Sequence, residues 1–236
     1  MKLYVVPTPI GNLEDITIRA INILKSVKFI ACEDTRRIQI LLKHYNIEGK
    51  TLLSYYHPKE AIQIRKIISL IRKDEDVALV SDAGTPSISD PGFKLINACI
   101  KEDIPVEVLP GPCALITALV GSGLPTHSFM FLGFAPRKSQ ESFYKEVFSS
   151  DVGSYILYES PQRILDTLEL ISHIEPNITV AIARELTKIH EEYIRGNIKD
   201  VIEELKKRNN IKGEIVLVLS KENTVNKENQ TRLKVK

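Results

Sequence analysis

The chain has 236 residues, of which 43% are hydrophobic and 26% charged, enough for one large domain or two smaller domains with real cores. No apolar stretch approaches the roughly 18 residues of a membrane span, and the start MKLYVVPTPIGN lacks the features of a signal peptide, so we expect no membrane contact and a cytoplasmic location. The formal net charge is +2; the last sixteen residues alone carry +3, and the near-neutral remainder gives no general basic face for nucleic acid.

Strand-like runs alternate with helical patterns through the first half of the chain. The strands are predicted at LYVV, FIA, TLLS, VALV and VEVL, with helices at residues 16–27, 58–73 and 91–102. Val77 to Val80 form a short continuous apolar run, as expected of a strand buried on both faces. This alternation predicts an α/β class with a mainly parallel sheet.

The second half repeats the alternation after a Gly/Pro-rich break. It contains FMFLGF, a helix at about residues 138–150, SYILY, a helix, TVAIA, the possible strand EEYIRG, a further helix and EIVLVLS. Ser160 and Pro161 have the residue types of an N-cap and first turn for the helix after YES. We predict two α/β domains, 1–121 and 122–221, followed by a disordered basic tail, 222–236.

Several loops carry Gly, Pro or charged residues directly after an apolar run. In the first half these are PTPIGNLED, CEDTRR, SDAGTPSISDPG and PGPCALITA, and parallel strands would place all four at one edge of the sheet. Gly84 can adopt positive φ and admit a ligand to the backbone, while Asp82 and Thr85 offer short polar side chains. Asp90 and Pro91 are predicted to cap and begin the next helix. An ordinary strand-to-helix connection is the alternative.

The common fingerprints of other enzyme classes are absent from the sequence. There is no GxGxxG after a strand, no GxxxxGK[ST] and no GxSxG, which disfavours a nicotinamide dehydrogenase, a P-loop NTPase and an α/β-hydrolase. The three cysteines form no CxxC pair, and the five histidines show no metal-ligand spacing, so no metal is expected.

The strings VVPTPIGNLEDIT, CEDTRR, VALVSDAGTPSISDPG, LPGPCALITAL, GLPTHSFMFLGFAPRK, YESPQR and ARELTKIHEE occur in order over roughly residues 2–219. Together they closely resemble the ribosomal small-subunit RNA methyltransferase I family, within the tetrapyrrole-methylase superfamily. The resemblance implies S-adenosylmethionine bound in a cleft between two α/β domains, usually in a homodimer. It also implies methyl transfer to the ribose 2′-hydroxyl of a cytidine in the decoding centre of 16S rRNA, within the small ribosomal subunit.

The resemblance also carries over a set of cofactor contacts. With Asp82, which we add as a neighbour, these are Pro9, Ile10, Ala83, Gly84, Thr85, Ile88, Cys113, Ala114, Glu159 and Leu186. The sequence departs from the porphyrin methylases at AGTP, where those relatives have Gly-Asp-Pro. Thr85 therefore replaces that Asp, and Asp82 is near it but not equivalent.

A ribose hydroxyl is a poor nucleophile, and a base that takes its proton contributes a factor of about 10² to 10⁴. Positioning of the reacting atoms can contribute more, about 7–11 kcal/mol. We select Glu185 or Lys188 as proton acceptor or hydroxyl orienter. Arg36, Arg137, Lys138 and Arg184 are candidate RNA contacts. A salt-bridge network joining the domains is the alternative for the charged group.

Aromatic residues could stack an extruded base, as RNA enzymes often use, although core aromatics are commoner. The candidates are Tyr55, Tyr56 and Phe134. Cys113 is expected to pack rather than react, and His57 to precede a helix. Two other functions remain open: a small-molecule methylase of the tetrapyrrole type, and a non-catalytic protein that binds the ribosome.

Overall fold

A computed structural model gives the fold and describes residues 1–56 and 60–222. The expectations for His57 and for the tail beyond Glu222 fall outside these residues. The chain divides into two compact units, the first Met1–Cys113 and the second beginning at Ala114. No helix of the described part is long and apolar enough to cross a bilayer.

The first unit is a five-stranded parallel sheet with helices on both faces, in the strand order β3-β2-β4-β1-β5. Its strands are β1 (Leu3–Val6), β2 (Phe29–Cys32), β3 (Thr51–Ser54), β4 (Val77–Val80) and β5 (Val106–Val108), and its helices are α1 (Ile18–Ser26), α2 (Thr35–His44), α3 (Glu60–Ile71) and α4 (Phe93–Lys101). A short 3₁₀ turn, Leu13–Asp15, follows β1. All four residues of the central strand β4 are buried, as the continuous apolar run predicted.

The helices of this unit lie on opposite faces of the sheet. Residues of α1 and α2 pack in one apolar cluster, and residues of α3 and α4 pack in another. The connection after β1 leads to the first face and the connection after β4 to the second, although the two strands are neighbours. Loops that diverge in this way leave a crevice at the carboxyl edge of the sheet, where ligands of open α/β sheets bind.

The second unit contains a mixed five-stranded sheet in the order β6-β7-β10-β8-β9. The strands are β6 (Phe129–Phe134), β7 (Ser154–Glu159), β8 (Thr179–Arg184), β9 (Glu192–Asn197) and β10 (Ile215–Ser220), and the helices are α5 (Ala114–Ser122), α6 (Gln140–Val147), α7 (Ile164–Ile174) and α8 (Ile198–Lys206). Only β6 and β7 run parallel; the other three pairings are antiparallel. Helices α6, α7 and α8 cover the core face, and α5 packs on β8 and β10 outside that cluster.

Two helix starts differ from the sequence prediction. Helix α4 begins at Phe93 with Gly92 as its N-cap, so Asp90 and Pro91 lie in the preceding turn. Gly92 has φ +155°, and an ideal Cβ there would lie 3.1 Å from Ser87, a position that only glycine fits easily. Helix α7 begins at Ile164, because the Ser160 carbonyl accepts the amides of Arg163 and Ile164 in a turn before it.

The division between the units also lies earlier in the chain than residue 121. Helix α5 belongs to the second unit, where two β9 side chains bind its middle and its last turn. Arg195 donates to the carbonyls of Gly121 and Ser122 at 3.1 and 3.2 Å, and Tyr193 donates to the Thr117 carbonyl at 3.1 Å.

Candidate active site

The four first-half loops singled out from the sequence all leave the carboxyl ends of parallel strands. They follow β1, β2, β4 and β5, which lie side by side in the sheet, with β4 and β1 at its centre. The prediction that they share one edge is confirmed within the first unit. Hydrogen bonds between the loops show that they form one structure.

The loop after β1 is joined to the loop after β4 by a backbone bridge between Thr8 and Gly84. Each residue donates its amide to the carbonyl of the other at 2.9 Å. The Thr8 hydroxyl also donates to the Ser81 carbonyl at 3.1 Å, and the Ser81 hydroxyl donates to the Gly84 carbonyl at 2.9 Å. Gly84 has φ +80°, the left-handed region that favours glycine. The two loops are therefore fixed against each other before any ligand binds.

The loop after β5 is attached to the same structure. The Thr85 hydroxyl donates to the Pro112 carbonyl at 2.9 Å. Gly111 packs against Pro7, and an ideal Cβ at Gly111 would lie 2.6 Å from the Pro7 Cβ. The structure thus gives Thr85 a role in joining loops.

The loop after β2 adds negative charge beside the loop after β4. The Asp34 amide donates to Asp82 Oδ1 at 2.9 Å, and Arg37 Nε lies 3.4 Å from Asp82 Oδ2. Burial, reinforced by Asp82, raises the pKa of Glu33. Burial, together with the charges of Glu33 and Asp82, raises the pKa of Asp90 to about 6. This edge is consequently an anionic environment that suits a cationic ligand.

Most of the predicted cofactor contacts of the first unit lie on these joined loops. Pro9 and Ile10 follow the bridge, and Ile10 Cγ2 would lie 3.2 Å from a Cβ on Gly84. The half-buried or exposed positions are Pro9, Ile10, Asp82, Ala83, Thr85, Ile88 and Cys113, while Gly84 is buried. The structure therefore brings these positions together. Ala114, the first residue of α5, belongs to the second unit.

The predicted catalytic pair of the second unit lies in the turn after β8. Lys188 Nζ is 2.8 Å from Glu185 Oε1 and 3.1 Å from Glu214 Oε2. The Glu214 amide also donates to Glu185 Oε1 at 2.9 Å. An ideal Cβ at Gly213 would lie 2.5 Å from Glu185 Cγ, so glycine makes room for this carboxylate.

The electrostatics of this group bear on the role of Lys188. Burial lowers the pKa of Lys188, but its hydrogen bonds with Glu185 and Glu214 outweigh burial, and the pKa is raised. The hydrogen bond from Lys188 lowers the pKa of Glu185. At neutral pH Lys188 is thus a cation and has no free lone pair, so it is unsuited to accept a proton. Both Glu185 and Lys188 can still orient a bound substrate.

Two other predicted site residues are engaged inside the second unit. The Glu159 side chain is 1% exposed, and it accepts hydrogen bonds from the Ser160 amide and the Thr167 hydroxyl and pairs with Arg163 at 3.2 Å. Arg184 Nε binds Glu192 at 3.0 Å, and its other nitrogens bind the carbonyls of Lys212 and His190. Both arrangements favour structural roles. Leu186, two residues after Arg184, is buried.

The remaining RNA candidates are all exposed on the surface. Arg36 is 87% exposed and folds back on Asp34, the N-cap of α2. Arg137 and Lys138 are exposed in the loop after β6. Of the aromatic candidates, Tyr55 is buried in the core, the alternative role given for these aromatic residues. Phe134, by contrast, is 62% exposed.

Two residues of the anionic edge and the Lys188 cluster are not among the site residues predicted from the sequence. Glu214 binds Lys188 from 26 residues away, and no local pattern marks it. Asp90 was assigned to a helix cap, but the structure places it in the anionic edge of the first unit. Among the described residues, no group of three or more His, Cys, Asp or Glu could hold a metal ion.

The fold and the loop cluster define a class of protein. The family model described as Tetrapyrrole (Corrin/Porphyrin) Methylases matches residues 2–202. A solved structure of uroporphyrin-III C-methyl transferase from Thermus thermophilus, complexed with S-adenyl homocysteine, has the same fold, with a TM-score of 0.62 at 16% identity over 94% of this chain and 98% of that chain.

Curated relatives narrow the class. A ribosomal RNA small subunit methyltransferase I from Hydrogenobaculum sp. (strain Y04AAS1) is 98% identical over 97% of this chain and 99% of its own length. Another of the same name, from Thermotoga maritima, is 44% identical over 93% of this chain and 98% of its own. The chain belongs to the tetrapyrrole methylases and, within them, to the ribosomal RNA small subunit methyltransferase I family, which confirms the resemblance.

Proposed function

We propose that the protein transfers a methyl group from S-adenosylmethionine to the ribose 2′-hydroxyl of a cytidine in the decoding centre of 16S rRNA. The observation that carries the reaction class is the near-identity to a relative named for small-subunit rRNA methylation. The substrate is the small ribosomal subunit, the location is the cytoplasm, and the working form is a homodimer.

The loop cluster of the first unit fits the proposed cofactor in charge. S-adenosylmethionine carries a sulfonium and an ammonium group, and the anionic edge places Glu33, Asp82 and Asp90 around the same loops. Gly84 itself is buried and bonds Thr8 through its amide and its carbonyl, so it shapes the loop rather than offering free backbone groups to the cofactor. The complex of the solved neighbour with S-adenyl homocysteine supports the same class of ligand. When bound, the cofactor supplies a methyl group on a positively charged sulfur.

The chain's own residues have two tasks in this proposal. Thr8, Gly84 and Thr85 hold three loops in one rigid arrangement, so little ordering remains for binding. In the second unit, Lys188 fixes the Glu185 carboxylate by a charge-assisted hydrogen bond. Glu185 then accepts a hydrogen bond from the ribose hydroxyl, orients it, and takes up the proton that leaves the oxygen when the methyl group is transferred, before releasing that proton to solvent.

The test is methyl transfer from labelled S-adenosylmethionine to small ribosomal subunits that lack ribose methylation. Mass spectrometry of the digested nucleosides is expected to show 2′-O-methylcytidine. Calorimetry on the same preparation measures cofactor binding independently. If the cofactor binds but no methyl group reaches the subunits, a small-molecule methylase becomes the favoured function. If neither cofactor binding nor methyl transfer is observed, a non-catalytic protein is favoured.

A further inference from the structure

The edge strand β6 of the second unit presents aromatic side chains away from the core. Met130 and Leu132 pack against the core cluster under the sheet, whereas Phe129 and Phe134 are exposed. The pairing of β6 with β7 shifts between Phe131 and Phe134, and Gly133 within this shift has φ +65°. Such a bulge re-aims the side chain that follows it.

The bulge brings three rings together on one face of the sheet. Phe131 pairs with Ile156 and Phe134 pairs with Tyr158, positions two apart on β7 that share a face. The Phe131 and Tyr158 ring centroids are 5.2 Å apart, and those of Phe134 and Tyr158 are 5.5 Å apart. Phe134 is nevertheless 62% exposed, so one side of this aromatic group faces solvent.

Two cations follow the exposed ring closely in the sequence. The loop that follows Phe134 carries Arg137 and Lys138, both exposed, and neither forms an ion pair with a carboxylate in residues 1–56 or 60–222. Arg163 donates to the carbonyls of Ala135 and Pro136 at 3.3 and 3.4 Å and thereby ties this loop to the turn before α7.

The carboxylate that pairs with Arg163 does not pair with the two cations of the loop. Glu159 is buried, and its carboxylate is held by Arg163, Thr167 and the Ser160 amide. The Glu159 and Arg163 pair therefore anchors the loop after Phe134 to the turn before α7, while Arg137 and Lys138 of that loop face solvent. An exposed aromatic ring beside two unpaired cations suits an anion that has flat apolar parts.

We infer that Phe134, Tyr158, Arg137 and Lys138 bind an unpaired nucleotide of the rRNA, with its base stacked on Phe134 and its phosphates near the two cations. This rests on the proposed function only in taking RNA as the substrate. Proteins recognise RNA mainly at unpaired nucleotides, whose bases stack on aromatic side chains. A second copy of this chain is the less suitable occupant, because protein interfaces are depleted of lysine, even though they accept arginine and aromatic residues.

The chain contains no tryptophan, which provides a direct test. Phe134→Trp places a single indole on this surface, and its fluorescence is expected to be quenched saturably by a short oligocytidylate and restored by added salt. Phe93→Trp is the matched control, since Phe93 is 67% exposed on α4 in the first unit. Its fluorescence is expected to stay unchanged.

A second measurement gives the size of the effect. Phe134→Ala is expected to weaken oligocytidylate binding by about 5- to 150-fold, the range for loss of one stacked base, while Phe134→Tyr retains it. Cofactor affinity should not change in either variant. The inference would be overturned if Phe134→Ala bound oligocytidylate as tightly as the unmodified chain. It would also be overturned if a porphyrin but not RNA quenched the Phe134→Trp fluorescence, or if Phe134→Ala converted a dimer to a monomer. Methyl transfer by the unmodified chain separately decides the proposed function.

Discussion

Thr8 and Gly84 exchange two backbone hydrogen bonds of 2.9 Å across the carboxyl edge of the first sheet. These bonds join the loops after the two central strands, which are otherwise free to diverge. Because Gly84 has φ +80°, the bridge depends on a residue without a Cβ. The backbone bridge between these two loops therefore depends on this glycine.

Gly84→Ala is expected to weaken S-adenosylmethionine binding at least tenfold, measured by calorimetry. The new Cβ would lie 3.2 Å from Ile10 Cγ2, so Ile10 must move, and the left-handed backbone costs about 1 kcal/mol of stability. Valine at this position would add β-branched strain and confuse loss of binding with unfolding.

Gly49→Ala is the matched control for Gly84→Ala. Gly49 has φ +71°, but nothing lies within 4 Å of its ideal Cβ. Both variants should lose similar stability, and only Gly84→Ala should lose cofactor affinity. Equal affinities in the two variants would remove the Thr8 and Gly84 bridge from the cofactor site.

Gly121→Ala is expected to destabilise the second unit by about 1–3 kcal/mol, the usual cost of overpacking. An ideal Cβ at Gly121 would overlap the Tyr193 ring, whose hydroxyl is held by the Thr117 carbonyl at 3.1 Å. Urea unfolding followed by circular dichroism measures the loss. Gly196→Ala on β9 is the control, since its Cβ would lie at an ordinary contact distance of 3.6 Å from Val201 Cγ2. Equal midpoints for the two variants would contradict this packing.

Short-range signals were sufficient for most of the secondary structure. Leu3–Val6, Thr51–Ser54, Val77–Val80 and Phe129–Phe134 coincide with the predicted runs, because each is apolar and bounded by turn formers. The alternation also predicted that the first-unit loops meet at one edge. Helix starts were less accurate: at α4 the cap is Gly92, whose role depends on its contact with Ser87.

The candidate site was predictable in position but not in chemistry. Motif strings located Glu185 and Lys188, yet the pKa of Lys188 depends on Glu214, which lies just before β10. Glu159 was selected as a ligand contact, but burial with Thr167 and Arg163 uses its oxygens internally. Such pairings come from tertiary structure, and a single sequence carries no local record of them.

Lys188→Ala is expected to leave cofactor affinity unchanged and to slow methyl transfer by on the order of 10²-fold, because it releases the Glu185 carboxylate from its fixed position. Single-turnover transfer to small subunits measures this rate. Lys145→Ala removes a comparable ion pair, with Glu141 at 2.6 Å on the surface of α6, and should transfer at the unmodified rate. A Lys188→Ala rate equal to that of Lys145→Ala would place Lys188 outside the site.

Asp90→Asn is expected to change how stability depends on pH. The pKa of Asp90 is raised from 3.8 to about 6, first by burial and then by Glu33 and Asp82. Between these two values the folded chain keeps a proton that the unfolded chain has released. The free energy of unfolding therefore falls as pH rises from about 4 to 6, and the penalty persists above that window.

The asparagine variant removes this penalty, since it carries no charge at any pH. It should match the unmodified chain near pH 4 and exceed it by about 1 kcal/mol at pH 7, a value reduced for solvent screening because Asp90 is only half-buried. Urea unfolding at the two pH values gives the difference. Asp151→Asn, at an exposed position, should show no such pH-dependent gain. A gain of equal size at pH 4 and pH 7 would mean that the substitution acts through packing and that folding does not raise the pKa of Asp90.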